Sequence, residues 1–309
     1  MPLKPTKKIW FNNELVSWES AQIHVLSYAL HYGSAVFEGI RAYSTENGSQ
    51  IFRLNEHVRR LYNSAKIYRM KISYTENEVI EACRKVVSVN ELDSGAYIRP
   101  IAFRGYNDLG LHASMDDDIE VAVAAWEWGT YLGADALKNG VDVCISSWNR
   151  NAPNTIPVMA KASGNYLSGT LVAIEAKENG YDEGICLDSD GFVSEGAGEN
   201  IFMVRHEKLI TPPLSSSILD GITRDSVMKI ADDLNIECVE RRITREELYL
   251  ADELFFTGTA VEITPIRSVD RIQIGEGKKG PITESIQSVF FGLFNGESDD
   301  KWNWLTPIE

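Results

Sequence analysis

Cysteine is scarce. The 309 residues hold four, Cys83, Cys144, Cys186 and Cys238, widely spaced, each in an apolar stretch, and no CxxC pair occurs. A disulfide framework and a cysteine-ligated metal site are both excluded on that spacing, and buried structural thiols in a reducing compartment are expected. Histidine is also sparse, and His24, His31, His57, His112 and His206 show no ligand spacing, so no metal is expected. No segment approaches 18 uninterrupted apolar residues, and MPLKPTKKIW has no apolar signal region, so a cytoplasmic protein without membrane contact is expected. Basic residues are in deficit, 30 against 45 acidic, for a net charge of −15. A chain that acidic repels phosphate backbones and anionic membranes, so nucleic-acid binding is not expected. Gly 23 and Pro 10 are too few for a linker or a collagen-like repeat.

The pattern that is present is that of a globular chain long enough for two domains. Asn12-Asn13 between short apolar runs reads as a hairpin turn. Ser34 to Tyr43 reads as one strand that something approaches closely at its glycines. A helix follows from Asn55, and Thr75 with Glu78 forms a capping box ahead of a second. Ala96–Phe103 and Ile119–Trp126 read as strands. Residues 127–140 form a Gly-bearing aromatic connection between a small domain, 1–126, and a larger one, 141–309. Further on, helices are expected over Tyr166–Glu178, about Gly221–Leu234 and Thr283–Phe294, with strands between them. Helices and strands alternate without a regular βαβ rhythm, which gives two α+β domains.

Several segments concentrate glycine with hydroxyl, acidic or basic groups: KASGNY at 161–166, SEGAGEN at 194–200, GITR at 221–224 and TGTA at 257–260, with HVRR at 57–60 on the first long helix. In that order, and with FEGIRAY, RLYNSAKIYRM, AYIRP, SSWNRNAPNTIP, TGTAVEITPIRSVD, GPIT and FFGLF around them, the chain resembles the fold-type IV pyridoxal-phosphate enzymes. Within these it resembles the bacterial branched-chain amino acid aminotransferases, nearly end to end.

The resemblance implies the fold of the D-amino acid aminotransferase type: an N-terminal α/β sandwich and a C-terminal pseudo-barrel with flanking helices. It implies pyridoxal 5'-phosphate, with Lys161 forming the Schiff base and carrying the proton, Glu195 at the ring nitrogen and Tyr166 at the phenolic oxygen. Arg60, Ile222, Thr223 and Thr259 would serve the phosphate, the middle two at a helix N-terminus. The substrate α-carboxylate would fall to Tyr97 and the Thr259-Ala260 turn. Phe37, Trp128 and Tyr131 would wall an apolar pocket, and Arg99 with Tyr32 and Tyr131 would take the distal carboxylate of glutamate. In the family Tyr32 acts across a subunit boundary, implying at least a homodimer; a trimer of such dimers is common among bacterial relatives. The implied reaction is transamination of leucine, isoleucine and valine with 2-oxoglutarate. D-amino acid aminotransferases, (R)-amine aminotransferases and aminodeoxychorismate lyase share the lysine, the acid and the GITR-like site. A non-catalytic pyridoxal-phosphate carrier is the alternative from another class. The stretch from Gly105 to Ala113 departs from the family pattern, so no roles are carried over there.

Overall fold

The computed structural model describes residues 3–106, 110, 111, 114, 117–129, 132, 133 and 135–308. The chain divides into two compact units. One comprises Met1–Trp128, Ala160–Gly164 and Phe294–Glu309, the other Gly129–Met159 and Asn165–Leu293. The chain first passes from one unit to the other after Trp128, and two later segments, one of which carries Lys161, group with the N-terminal unit.

The first unit is an eight-stranded sheet covered by two helices. Across it run Leu305–Pro307, Gly48–Phe52, Ile40–Thr45, Ala96–Arg104, Ile119–Trp126, Lys8–Phe11 and Glu14–Ser17, while Ala35–Phe37 pairs with the far end of Ala96–Arg104. The hairpin at Asn12-Asn13 forms because both asparagines take positive φ, 47° and 70°, which gives the backbone twist a two-residue turn needs. The Leu54–Ile67 helix buries Leu54, Val58, Leu61 and Ala65, and the Glu76–Val89 helix buries Val79, Ala82, Cys83, Val86 and Val87. That spacing lays one apolar stripe of each helix on the sheet. Thr75 and Glu78 make the expected reciprocal capping box.

Ser34 to Tyr43 is two strands rather than one. The ladder with Ala96–Arg104 thins at Glu38 and Gly39, where the Glu38 N–H still donates to the Pro100 carbonyl at 2.9 Å but proline has no N–H to return the bond. Gly39 is required for space. A Cβ there would lie 2.0 Å from the Tyr97 hydroxyl oxygen, so the ring fills the room a side chain would take.

The second unit holds a nine-stranded mixed sheet. Its path runs Val193–Gly196, Glu183–Leu187, Val141–Ile145, Glu262–Val269, Glu253–Gly258, Asn200–Arg205, Lys208–Thr211 and Cys238–Glu240. The two ends of this path approach each other: the Val193 N–H donates to the carbonyl of Ile243, just past the last strand, at 2.8 Å. Such a sheet curls toward closure, which accounts for the expected pseudo-barrel and leaves few edge groups unpaired. Phe202, Phe255 and Phe256 are fully buried within this unit. Helices Tyr166–Glu178 and Ile222–Asp233 pack on its strands. All four cysteines are free, three of them buried and Cys238 half-buried. Burial holds Cys144 and Cys238 up to about 11 and Cys186 to about 12, so they are inert thiols.

Candidate active site

In the first unit the segment around Lys161 lies beside the Ala35–Phe37 strand. Val36 and Ala162 form an antiparallel bridge, and the Phe37 N–H donates to the Lys161 carbonyl at 3.0 Å. The Lys161 N–H in turn donates to Ser64 Oγ at 3.0 Å, on the Leu54–Ile67 helix. The bridge and the bond to Ser64 thus hold the lysine's backbone from both sides, and its Nζ lies 5.1 Å from the centre of the Phe37 ring. The small residues of KASGNY permit this. Gly164 comes within 3.6 Å of the position a Cβ on Gly33 would occupy.

Arg60 projects from the same helix as Ser64, one turn earlier. Its Nε and Nη2 donate to the two oxygens of Glu38 at 2.7 and 2.8 Å, and His57 Nδ1 donates to Glu38 Oε2 at 2.7 Å. Glu38 and His57 are both buried. Burial pushes the Glu38 carboxyl up, but the Arg60 charge and the bonds from Arg60 and His57 outweigh it, leaving the acid ionised far below its ordinary range. Burial also lowers His57, against the pull of Glu38, so the imidazole is neutral. Arg59 beside it is exposed, 3.9 Å from Glu76, as expected of a solvated helix charge.

Arg99 is set among aromatic faces. Its guanidinium carbon is 4.6 Å from the Phe37 ring centre, 5.4 Å from Tyr97 and 6.0 Å from Trp126. Its Nη2 reaches the Tyr97 hydroxyl at 3.3 Å, and its buried Nε has no hydrogen-bond partner among the described residues. The Trp128 ring lies tilted against Tyr97, with ring centres 4.8 Å apart. Phe37, Tyr97, Arg99 and Trp128 are therefore brought together. Tyr32 is exposed and its ring neighbours are Tyr28 and His31, so this chain alone does not bring it to Arg99. Tyr131 and much of the 105–113 loop lie outside the described residues.

In the second unit SEGAGEN closes the turn between Val193–Gly196 and Asn200–Arg205. Glu195 is 3% exposed. Its Oε1 is 2.5 Å from Arg150 Nη2, and its Oε2 accepts from Asn200 Nδ2 at 2.9 Å and from the Leu219 N–H at 3.1 Å. Arg150 was not expected from sequence, because the ion pair joins residues far apart in the chain. Asn200 is a second residue missed. Besides holding Glu195 it abuts Gly221, where a Cβ would lie 1.9 Å from Asn200 Oδ1. Any residue but glycine at 221 would displace the side chain that orients Glu195.

Gly221 is the N-cap of Ile222–Asp233 and offers no side chain to its first turn. Ile222 and Thr223 open the helix, both buried, so the positive end of the helix dipole and the Thr223 hydroxyl are offered there together. Tyr166 begins the helix Tyr166–Glu178, half-buried, with its ring 3.7 Å from where a Gly198 Cβ would stand. Gly169, one turn on, lets the Ala197 carbonyl press to 2.3 Å from its missing Cβ. The helix and the SEGAGEN turn are thereby held against each other. Thr259 and Ala260 form the turn between Glu253–Gly258 and Glu262–Val269, with Glu262 held at φ 56°. Among the described residues no three His, Cys, Asp or Glu side chains could hold a metal ion, and no helix could cross a membrane.

A family model described as amino-transferase class IV matches residues 35–269. The branched-chain-amino-acid aminotransferase of Salmonella typhimurium is 56% identical over 308 residues, covering 100% of this chain and 99% of its own. The solved Escherichia coli branched-chain amino acid aminotransferase matches with a TM-score of 0.97 at 55% identity, covering 98% of this chain and all of its own. The branched-chain amino acid aminotransferase of Thermobaculum terrenum, solved in its PLP-form, matches with a TM-score of 0.89 at 36% identity, covering 99% of each chain. By the family match and by relatives similar from end to end, this chain belongs to the class IV aminotransferases.

Proposed function

We propose that this protein transfers the amino group of L-leucine, L-isoleucine and L-valine to 2-oxoglutarate, giving branched-chain 2-oxo acids and L-glutamate, with pyridoxal 5'-phosphate as cofactor. The residues fit that group. Glu195 is a buried anion of the kind a protonated ring nitrogen needs, and the glycine-capped helix at Ile222 and Thr223 suits a phosphate. The cofactor, when bound, supplies a carbonyl carbon for the amino group and a conjugated ring that takes up the electron pair left at the substrate α-carbon.

The chain's own residues do the rest. Lys161 Nζ attaches the cofactor and, once released, carries the proton away from the α-carbon and returns it in the reverse direction. Glu195 holds a proton at the ring nitrogen, and Arg150 and Asn200 fix that carboxylate so it need not reorient during reaction. The Tyr166 hydroxyl binds the phenolic oxygen, and Arg60, Ile222, Thr223 and Thr259 bind the phosphate. Tyr97 and the Thr259-Ala260 turn receive the α-carboxylate.

The observation that carries the substrate reading is Arg99 among Phe37, Tyr97 and Trp126. Aromatic faces accept an aliphatic side chain, and the guanidinium among them accepts the second carboxylate of glutamate. One pocket can then serve both half-reactions. Exposed Val25, Leu30 and Tyr32 support a homodimer as the working unit, and four free thiols support a cytoplasmic location.

A donor panel of L-Val, L-Leu, L-Ile, L-Phe, D-Ala and an (R)-amine with 2-oxoglutarate tests the reading, and turnover confined to D-Ala or the amine would overturn it. Arg99→Leu should slow the glutamate half-reaction about ten- to a hundredfold, the worth of one charge-assisted hydrogen bond. The leucine half-reaction should change much less. Equal loss in both, by stopped-flow, would assign Arg99 to structure or to the α-carboxylate.

A further inference from the structure

Glu38 has no role in the reading above, yet among the described residues it is the most thoroughly enclosed acid of the first unit, with an exposure of 0%. Arg60, its partner, is 13% exposed, so the acid lies deeper than the base. A buried ion pair is a poor way to gain stability, since an apolar pair of similar volume is often as good. The geometry suggests what the pair does. Two parallel bonds at 2.7 and 2.8 Å run from Nε and Nη2 to separate carboxylate oxygens, a fork that fixes the plane of the guanidinium.

The fork is itself held on its far side. His57 Nδ1 donates to Glu38 Oε2 at 2.7 Å, and the Glu38 backbone N–H donates to the Pro100 carbonyl at 2.9 Å. His57, Arg60 and Ser64 follow one another at i, i+3 and i+7 along a single helix. Ser64 accepts the Lys161 N–H at 3.0 Å. One helical face thereby sets both the arginine and the lysine backbone.

We propose that Glu38 is a positioning residue: its carboxylate fixes the Arg60 guanidinium, with His57 as brace, so that Arg60 meets the cofactor phosphate in one preset orientation. This rests on the reading of Arg60 as a phosphate ligand, and the test separates the two. Apoenzyme is titrated with pyridoxal 5'-phosphate and with pyridoxal, which lacks the phosphate, following the visible absorption of the lysine-bound cofactor. Thermal unfolding of each apoenzyme is recorded alongside.

Arg60→Gln should lower affinity for the phosphorylated form about ten- to a hundredfold and leave pyridoxal unchanged. Glu38→Gln should lower the same preference about three- to tenfold, and Glu38→Asp likewise, because the shorter arm keeps the charge but draws the carboxylate back out of reach of the two nitrogens. In the doubly substituted Glu38→Gln, Arg60→Gln protein the loss should not exceed that of Arg60→Gln alone. If Glu38→Gln fails to fold, Glu38→Asp decides. Retained preference in the Glu38 variants, with loss in Arg60→Gln, overturns the inference and leaves the arginine's role standing. Retained preference in Arg60→Gln overturns both. An equal fall for both ligands in the Glu38 variants, tracking a lower melting temperature, makes Glu38 structural and overturns it as well.

Discussion

Glu38 and Glu199 are both almost completely shielded from water, at 0% and 5% exposure, yet their carboxyl groups are driven in opposite directions. Burial pushes each of them up. At Glu38 the Arg60 charge and its two hydrogen bonds more than offset this, and the acid stays ionised. At Glu199 the next influence is another acid, Glu183, and the carboxyl is held well above its ordinary range. Glu183 is itself raised, chiefly by burial. Burial therefore sets the cost of a charge, and the partner decides whether the charge remains. Glu195, four residues before Glu199, has a cation at its side as Glu38 does, here Arg150.

The comparison is sharpest at Glu195, where the largest effect is expected. Glu195→Gln keeps the size and removes the anion, so the ring nitrogen loses the group that holds its proton. Turnover should fall by roughly two powers of ten or more, the range supplied by a positioned acid–base group. Single-turnover kinetics equal to wild type would show that a buried, cation-paired acid in this turn serves packing alone.

How much of this was legible in the sequence follows from range. The Asn12-Asn13 turn, the Thr75–Glu78 capping box and the helix opening at Tyr166 depend on neighbours within four residues, and each formed where expected. The strand Leu305–Pro307, paired with Gly48–Phe52, and the return of Ala160–Gly164 to the first unit depend on partners a hundred or more residues away. No local pattern announces such pairings. The site divides similarly. Lys161, Glu195 and the GITR helix lie in recognisable strings, whereas Arg150 and Glu38 carry roles defined by a distant partner. Glu38 falls inside FEGIRAY, where the expected strand divides in two.

A smaller effect is expected from pH. The folded-state pKa of Glu38 is depressed, so it contributes stability above its ordinary value of 4.5, and that contribution is lost as pH falls below it. The slope for one proton is about 1.4 kcal/mol per pH unit. Glu38→Gln should flatten this acid limb in urea denaturation. A wild-type slope retained in the variant would place the acid sensitivity on other carboxylates.

The smallest effect should come from Glu199→Gln, and its sign matters more than its size. The folded-state pKa of Glu199 is raised, so the native chain keeps a proton that the unfolded chain gives up above about 4.5. Native stability must therefore decline as pH rises from there toward the folded-state value. Glutamine has nearly the shape of the protonated acid and does not titrate. Near pH 5 the variant should match wild type within about 1 kcal/mol, the net worth of one neutral hydrogen bond. Toward pH 8 the variant should become the more stable of the two, because only the wild type has lost stability on the way. Denaturation midpoints at pH 5, 6, 7 and 8 read this directly. If the variant instead weakens relative to wild type as pH rises, Glu199 is ionised in the native state. The contrast with Glu38 would then fail, and the pull of Arg150 on Glu199 would outweigh burial and Glu183.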